Sequence, residues 1–135
     1  SFPGGKAEPE DANAVATALR ESCEEVGLAP ELVDVLGTLP TYTTVTRFVV
    51  TPVVGLLRPD YTLILDAHEV AEAFEVPLSF LMTPANHQRH EFDMGGATRQ
   101  FLSMPWGAEP GSGDAYFIWG ATAAMLRNLY HLLSE

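Results

Sequence analysis

The sequence predicts an α+β fold in which helices cover a mostly non-alternating β-sheet. The segment 12–26 is rich in Ala, Leu, Arg and Glu, which favour a helix. The segments 32–39 and 48–57 are β-branched and apolar, which is typical of strands. Apolar side chains recur at helical spacing in the segment 118–133. The length of 135 residues fits a single domain, 1–135.

The first helix is predicted to begin at Ala12 and to end at Val26. Asp11 is the predicted N-cap, because a short acidic side chain can accept a hydrogen bond from the first turn. Gly27 is the predicted C-cap, since glycine adopts the left-handed conformation easily. One stripe of the helix is expected to face the core and consists of Val15, Leu19, Ser22, Cys23 and Val26. Cys23 is therefore predicted to be inert rather than nucleophilic.

Shorter elements are predicted downstream. Further strand candidates are 61–65 and 70–76, and Pro77–Leu81 is expected to be a short helix that begins at proline. A hairpin is predicted from 90–92 and 99–104, around a turn at 94–96. The segment 106–114 is rich in Gly and Pro and is predicted to be a mobile loop, followed by a second helix over 118–133.

The charge balance excludes some classes of partner. With 18 acidic and 7 basic residues the formal net charge is −11, which argues against a nucleic acid as the main partner. The charge can simply confer solubility. An acidic enzyme can also act on phosphates when divalent cations lie between its carboxylates and the substrate. No apolar run reaches the roughly 20 residues of a membrane span, so no membrane partner is expected. A single cysteine excludes an intramolecular disulfide and is compatible with a cytoplasmic location.

Three carboxylates converge on one side of the first helix. Glu21, Glu24 and Glu25 lie on one arc, together with the small residues Ala14 and Ala18. Like charges at this spacing destabilise a helix, and the negative end of the helix dipole adds to the cost. Seen alone, a solvated acidic helix end is the simpler interpretation. The alternative is a site for a hard cation, Mg²⁺ or Mn²⁺, which prefers oxygen ligands.

The surrounding sequence favours the metal site, because residues 4–28 resemble the Nudix box. The box is Gly, five residues, Glu, seven residues, then Arg-Glu-U-x-Glu-Glu-x-Gly-U, where U is a bulky apolar residue. Six positions of the second half match: Arg20, Glu21, Glu24, Glu25, Gly27 and Leu28. Ser22 departs mildly at the first U position. The spacing from Gly5 to Arg20 is one residue longer than the pattern, and Asp11 stands near the place of the first Glu.

These departures resemble one branch of the superfamily, the coenzyme A diphosphatases. That branch shares SFPGG, a following Asp and a TALRE-x-x-EE-x-GL core. The segments VTRFVVTPVVGLL, HEVAEAFEVPLSFL and FIWGATAAML also resemble it, so the similarity covers nearly the whole chain. The resemblance implies a Nudix fold, an α/β/α sandwich with a mixed sheet. Because the chain begins at Ser1 and lacks the opening strands of that sheet, we expect it to be a domain truncated at its N-terminus.

The resemblance also implies the roles of individual residues. Glu21 and Glu25 would be metal ligands, Glu24 would complete the cluster and the Gly5 carbonyl would be a further ligand. Arg20 could orient Glu24, which lies four residues later. Glu69 matches a downstream glutamate that some Nudix enzymes use as a base or an extra ligand; the alternative is an ordinary loop carboxylate. His68 replaces the acidic residue that usually precedes it.

The implied reaction is hydrolysis of a pyrophosphate bond. For coenzyme A, a small-molecule nucleotide substrate, the products would be 3′,5′-ADP and 4′-phosphopantetheine. The alternatives are a Nudix hydrolase acting on ADP-ribose or NADH, and a catalytically silent Nudix-like binding module. The intact set of three glutamates argues against the silent module. Both monomer and homodimer are compatible with the sequence.

Other candidates are weaker. The run NHQRHEF, with His87, Arg89 and His90, does not have the spacing of a metal site. Arg89 or Arg99 could bind a substrate phosphate, although ordinary surface positions are expected. Trp106 could stack on an adenine but is expected to be a core or loop anchor.

Overall fold

The computed structural model describes residues 1–107 and 115–135. They form two compact units, an N-terminal unit of Phe2–Phe74 and a C-terminal unit of Glu75–Glu135 together with Ser1. Each unit has its own secondary structure and is described by itself. The single domain over 1–135 stays a prediction.

Helix α1 is Ala14–Val26, two residues shorter at its start than predicted. The N-cap is Asn13, whose side chain accepts a hydrogen bond from the Ala16 N–H at 2.9 Å. The prediction of Asp11 as N-cap was wrong, because the Asp11 carboxylate binds the side chain of Arg20 instead. Gly27 ends the helix as predicted, at φ 69°.

The predicted core face of α1 is only partly correct. Val26 is buried, but Cys23 is exposed. Cys23 lies at one edge of the apolar stripe, on the side away from Ser22 and Val26, where solvent reaches it. Thr17 is buried although it lies away from the stripe, because its hydroxyl donates to the Asp11 carboxylate at 2.9 Å.

Two nested antiparallel strand pairs follow α1 in the N-terminal unit. A 3₁₀ turn, Pro30–Leu32, leads into β1, Val33–Thr38, which pairs with β4, Val53–Leu57. Between them, β2, Tyr42–Thr43, pairs with β3, Val49–Val50. The single strand predicted over 48–57 is therefore two strands. Pro52 interrupts it, because proline has no N–H to donate to a neighbouring strand.

The strands predicted over 61–65 and 70–76 are both wrong. Among the described residues the first segment pairs with no strand, and its Ile64 N–H donates to the end of α1 instead. The N–H groups of Ile64 and Asp66 donate to the carbonyls of Val26 and Glu25, each at 2.8 Å. The last carbonyls of a helix have no partner within the helix, so an apolar segment can satisfy them. Sequence pattern alone does not distinguish this from strand pairing.

The C-terminal unit contains two further helices and a hairpin. Helix α2 is Leu78–Leu81, as predicted, and a 3₁₀ turn follows at Pro84–Asn86. Strands β5, Gln88–Met94, and β6, Ala97–Ser103, form the predicted hairpin and are longer than expected. The two residues between the strands are Gly95 and Gly96, at φ 61° and 88°, as a tight hairpin turn requires. Helix α3 is Gly120–Leu133.

The core of the C-terminal unit is small and apolar. It consists of Leu81, Met104, Ala123 and Leu126, with Met104 and Ala123 fully buried. Helix α3 packs on β6, and the Met104 N–H donates to the Ile118 carbonyl at 2.7 Å. Most of the predicted mobile loop over 106–114 lies outside the described residues.

The α+β class is confirmed, but the strands pair differently from the mixed sheet that we expected. The described strands form three separate two-stranded sheets, all antiparallel. Each pair joins segments that are close in sequence, and antiparallel neighbours need only a short connection. A parallel pair would need a crossover of a dozen or more residues.

Candidate active site

The Gly4–Gly5 loop lies directly against the acidic face of α1. The Gly4 N–H donates to Glu25 Oε2 at 3.2 Å. A Cβ atom placed on Gly5 would lie 2.5 Å from Glu21 Oε1, which is closer than real Cβ contacts allow. The absence of a side chain at residue 5 thus lets the Glu21 carboxylate pack on the loop backbone. Two of the predicted site residues, Gly5 and Glu21, are brought together.

Arg20 connects this loop to the carboxylates. Its Nε and Nη2 donate to the two carboxylate oxygens of Asp11, each at 3.0 Å. Nη1 donates to Glu21 Oε1 at 3.1 Å and contacts Glu24 Oε2 at 3.3 Å. Nη2 also donates to the Lys6 carbonyl at 3.1 Å. Arg20 thus contacts Glu24, as the predicted orienting role requires, and the same guanidinium contacts Glu21.

The Asp11–Arg20 pair is strongly coupled. Hydrogen bonds from the Arg20 guanidinium, and then one from the Glu8 N–H, hold the pKa of Asp11 well below its usual range. The same contact raises the pKa of Arg20, which stays charged. The Asp11 side chain is only 7% exposed, and Thr17 also donates to it. The geometry makes Asp11 the anchor of Arg20, a role that its predicted place as N-cap did not include.

The three glutamates of α1 are not gathered at a single point. Glu21 and Glu24 share the Arg20 guanidinium, while Glu25 is held by the Gly4 N–H. The Glu24 side chain is 57% exposed and that of Glu21 only 15%. Within the part of the chain that the structure describes, no three His, Cys, Asp or Glu side chains already lie close enough to hold a metal. The ligand roles of these glutamates stay predictions.

Glu69 lies in the electrostatic field of this cluster. Loss of hydration at its carboxyl raises the pKa of Glu69, although the residue is exposed as a whole. The negative charge of Asp66 raises it further, followed by the charges of Glu25, Glu21 and Glu24. The Glu69 N–H donates to the Asp66 carbonyl at 3.0 Å in a tight turn. This turn is joined to the end of α1, because the Asp66 N–H donates to the Glu25 carbonyl at 2.8 Å.

Sequence reasoning missed Asp66. Its N–H binds the Glu25 carbonyl, and its side chain accepts from the His68 N–H at 3.0 Å. Its backbone thus ties the turn that carries Glu69 to the end of α1. The only signal in the sequence was an acidic residue three positions before Glu69.

The weaker candidates have structural partners in the C-terminal unit. His87 binds the Leu81 carbonyl through Nε2 at 2.6 Å and Arg127 through Nδ1 at 2.7 Å. His90 Nε2 lies 2.7 Å from the hydroxyl of the buried Ser103. Trp106 stacks on Tyr116 with ring centroids 6.4 Å apart. These contacts favour a structural role for both histidines and for Trp106.

Arg89 and Arg99 lie on opposite strands of the hairpin. Arg89 is in register with Leu102, and Arg99 is in register with Phe92. Among residues 1–107 and 115–135, no ion pair joins either guanidinium to a carboxylate. A phosphate-binding role for either residue stays a prediction.

Comparison with known proteins decides the family. The model of the NUDIX domain matches residues 1–99, which include α1, the Gly4–Gly5 loop and Glu69. The chain belongs to the Nudix family. This confirms the resemblance drawn from residues 4–28.

Bacterial Nudix proteins align with nearly the whole chain. "Uncharacterized Nudix hydrolase NudL" of Cronobacter sakazakii is 42% identical over 138 residues, covering 100% of this chain and 67% of the relative. The protein of the same name from Escherichia coli is 40% identical over 130 residues, covering 96% and 64%. The Nudix chain thus spans about two thirds of the length of these relatives. None of the helices in residues 1–107 and 115–135 has the length and apolar character needed to cross a membrane.

Proposed function

We propose that this Nudix chain carries the site of a metal-dependent pyrophosphohydrolase that acts on nucleoside-diphosphate-linked substrates. The observation that carries the proposal is the packing of the Gly4–Gly5 loop on Glu21 and Glu25. This packing brings the backbone of the glycine loop against two of the carboxylates of α1. The family supports the reaction class, because Nudix enzymes generally use Mg²⁺ or Mn²⁺ on small nucleotide substrates, and the relatives are named hydrolases.

The donor set fits a hard divalent cation. Glu21, Glu25 and the Gly5 carbonyl would hold the metal, with Glu24 completing the cluster, and all of them offer oxygen. The charges that raise the pKa of Glu69 indicate an excess of negative charge that a cation would relieve. Bound Mg²⁺ or Mn²⁺ would polarise the diphosphate and lower the pKa of a bound water.

The other residues would position these groups. Arg20, anchored by Asp11, would fix the directions of Glu21 and Glu24. Glu69, on a turn tied to the end of α1, would accept a proton from the attacking water or provide a further ligand.

Coenzyme A or a derivative is the substrate that we propose, with 3′,5′-ADP and 4′-phosphopantetheine as products. Support comes from the altered spacing before Arg20, with Asp11 in place of the usual Glu, and from the three downstream segments that resemble that branch. The names of the relatives specify no substrate. A cytoplasmic location and a monomeric or homodimeric state are part of the same proposal.

The proposal is tested by assaying the chain with Mg²⁺ or Mn²⁺ on coenzyme A, ADP-ribose and NADH. We expect preference for coenzyme A, loss of activity in EDTA, and a fall of roughly 100-fold or more in kcat for Glu25→Gln. Glu31→Gln is the matched control, since Glu31 is exposed and lies outside the site.

Three outcomes would contradict parts of the proposal. Preference for ADP-ribose would overturn the coenzyme A assignment. Full activity of Glu25→Gln would overturn the metal assignment. Binding of these nucleotides without hydrolysis in either metal would favour the silent binding module.

A further inference from the structure

Strand β5 has one edge that pairs with no strand. Its other edge pairs with β6 along the whole hairpin. The far edge of β6 is bridged in turn, from Ser103 to Trp119, whereas β5 has no further strand or bridge in the described part of the chain. A two-stranded sheet gains stability when further strands are added. The free edge of β5, seven residues long, can therefore accept another strand.

The backbone groups of this free edge belong to Arg89, Glu91 and Asp93. Because only two residues connect β5 to β6, the pair Met94 and Ala97 is expected to exchange both backbone hydrogen bonds, and such pairs recur at every second residue. The residues between these pairs direct their N–H and C=O groups away from β6. All three are exposed, and among the described residues their N–H groups have no acceptor outside the hairpin. These groups are thus available to a further strand.

The side chains of the edge carry opposite charges two residues apart. Arg89 and Glu91 lie on the same face of β5, since side chains alternate along a strand. Glu91 accepts a hydrogen bond from Gln100 Nε2 at 3.2 Å, and within the described ranges no carboxylate lies within 4.0 Å of Arg89. Charges on an edge strand commonly prevent pairing. Opposite charges at this spacing have the contrary effect when the incoming strand is a second copy of β5.

One antiparallel register of two β5 strands matches these charges. When the twofold axis passes beside His90, Arg89 of each copy lies directly opposite Glu91 of the other. Moving the axis to Arg89, Glu91 or Phe92 places like charges directly opposite each other, in the last case Glu91 and Asp93. Opposite charges across an antiparallel pair are favourable and like charges are unfavourable. The charge pattern thus selects the register centred on His90.

The other face of the hairpin adds aromatic surface to the same contact. The His90 ring stacks on Phe101 with centroids 4.7 Å apart, and the Phe92 ring lies 5.8 Å from Phe101. Phe92 is 42% exposed. In the register centred on His90, Phe92 lies diagonal to His90 of the second copy, a spacing that aromatic side chains can span. Pairing would therefore cover part of an exposed aromatic face.

We propose that two copies of this chain associate through the free edge of β5, as an antiparallel, twofold-symmetric pair centred on His90. The two hairpins then form one four-stranded sheet. Because both copies use the same edge, the assembly closes at two chains. The backbone groups of Arg89 and Glu91 supply hydrogen bonds, and their side chains supply two ion pairs. The inference involves no residue of the proposed metal site.

The test is a charge exchange across the twofold axis. Sedimentation velocity between roughly 1 and 100 µM should show a concentration-dependent dimer of the wild-type chain. Arg89→Glu and Glu91→Arg should each raise the dimer dissociation constant roughly 10-fold or more, because like charges then face each other. Mixing the two variants should restore the dimer, since opposite charges face each other again. This recovery also shows that both variants are folded.

Arg99→Glu is the control, because it makes the same charge change on β6, away from the free edge of β5. It should dimerise like the wild-type chain. Amide hydrogen exchange should be slower at Arg89 and Glu91 in the wild-type dimer than in the single variants. An equal loss with Arg99→Glu, or single variants that dimerise normally, would overturn the proposal. So would a mixture that stays monomeric. A wild-type chain that is monomeric throughout would overturn it too, and would favour a strand of another protein as the occupant of this edge.

Discussion

The Asp11 carboxylate accepts two parallel hydrogen bonds from the Arg20 guanidinium, both at 3.0 Å. Two parallel hydrogen bonds in one plane fix both the position and the direction of the guanidinium. A single hydrogen bond would let it rotate. The remaining nitrogen, Nη1, then meets Glu21 and Glu24. A residue outside helix α1 thus controls where two of its carboxylates lie.

Replacing Asp11 by Asn should change how stability depends on pH. Because the pKa of Asp11 is depressed in the folded chain, the pair stabilises it above the ordinary aspartate pKa of about 3.9. That contribution is lost as pH falls below this value toward the folded pKa. Thermal unfolding between about pH 2 and pH 7 should show Asp11→Asn less stable at neutral pH, with a difference that shrinks in acid. A stability difference between Asp11→Asn and the wild-type chain that stays constant with pH would contradict the depressed pKa of Asp11.

Replacing Gly5 by Ala should damage the site without unfolding the chain. The new Cβ would displace the Glu21 carboxylate, from which it would otherwise be 2.5 Å away. We expect kcat to fall roughly 10- to 100-fold, since small displacements of reacting groups are costly. Gly4→Ala is the matched control, because a Cβ on Gly4 meets no atom within 4 Å. Equal effects of the two substitutions would show that the Gly5 contact is unimportant.

Replacing Gly27 by Ala should destabilise the chain by more than the conformational cost of placing an alanine at positive φ. At φ 69°, an alanine costs roughly 1–2 kcal/mol. Its Cβ would also lie 2.8 Å from the backbone N and O of Ile64. Gly95→Ala, at φ 61° and with open space around it, measures the conformational cost by itself. Urea unfolding measures the loss in the free energy of unfolding for both variants. Equal losses would mean that the segment at Ile64 moves aside without cost.

The tautomer of His87 follows from its partners. A guanidinium can only donate, so Nδ1 must accept from Arg127, and Nε2 must carry the hydrogen that is donated to the Leu81 carbonyl. Long-range ¹H–¹⁵N NMR should therefore detect the Nε2–H tautomer at neutral pH. Arg127→Met should weaken this preference and destabilise the unit by about 1–3 kcal/mol. A dominant Nδ1–H tautomer in the wild-type chain would contradict the contact.

The helices and the hairpin could be predicted because local signals define them. Gly27 ended α1 where expected, and the Gly95–Gly96 pair lies at the turn of the hairpin. Pro77 likewise directly precedes α2. Capping residues and glycine turns act within a few positions of each other, so the sequence displays them directly.

The errors concern partners distant in sequence. The segment 61–65 has strand composition, but it bonds to carbonyls at the end of α1. Asp11 has the properties of a helix cap, yet Arg20, nine residues later, competes for its carboxylate. The glutamates could be placed on one helix arc, with Arg20 beside Glu24, but the Gly4 N–H that holds Glu25 apart from them could not be predicted. Such choices depend on tertiary contacts, which local pattern does not contain.

Two hydrogen bonds, from the N–H groups of Ile64 and Asp66 to the last carbonyls of α1, fix the end of this segment on the helix. They join the turn that carries Glu69 to the helix that carries Glu25. The intervening residues 29–63 therefore form a loop whose two ends are held together. Lengthening a closed loop costs little additional entropy. We therefore expect that the strands within this loop can be replaced by others of different length. The distance from Glu69 to Glu25 should then stay constant.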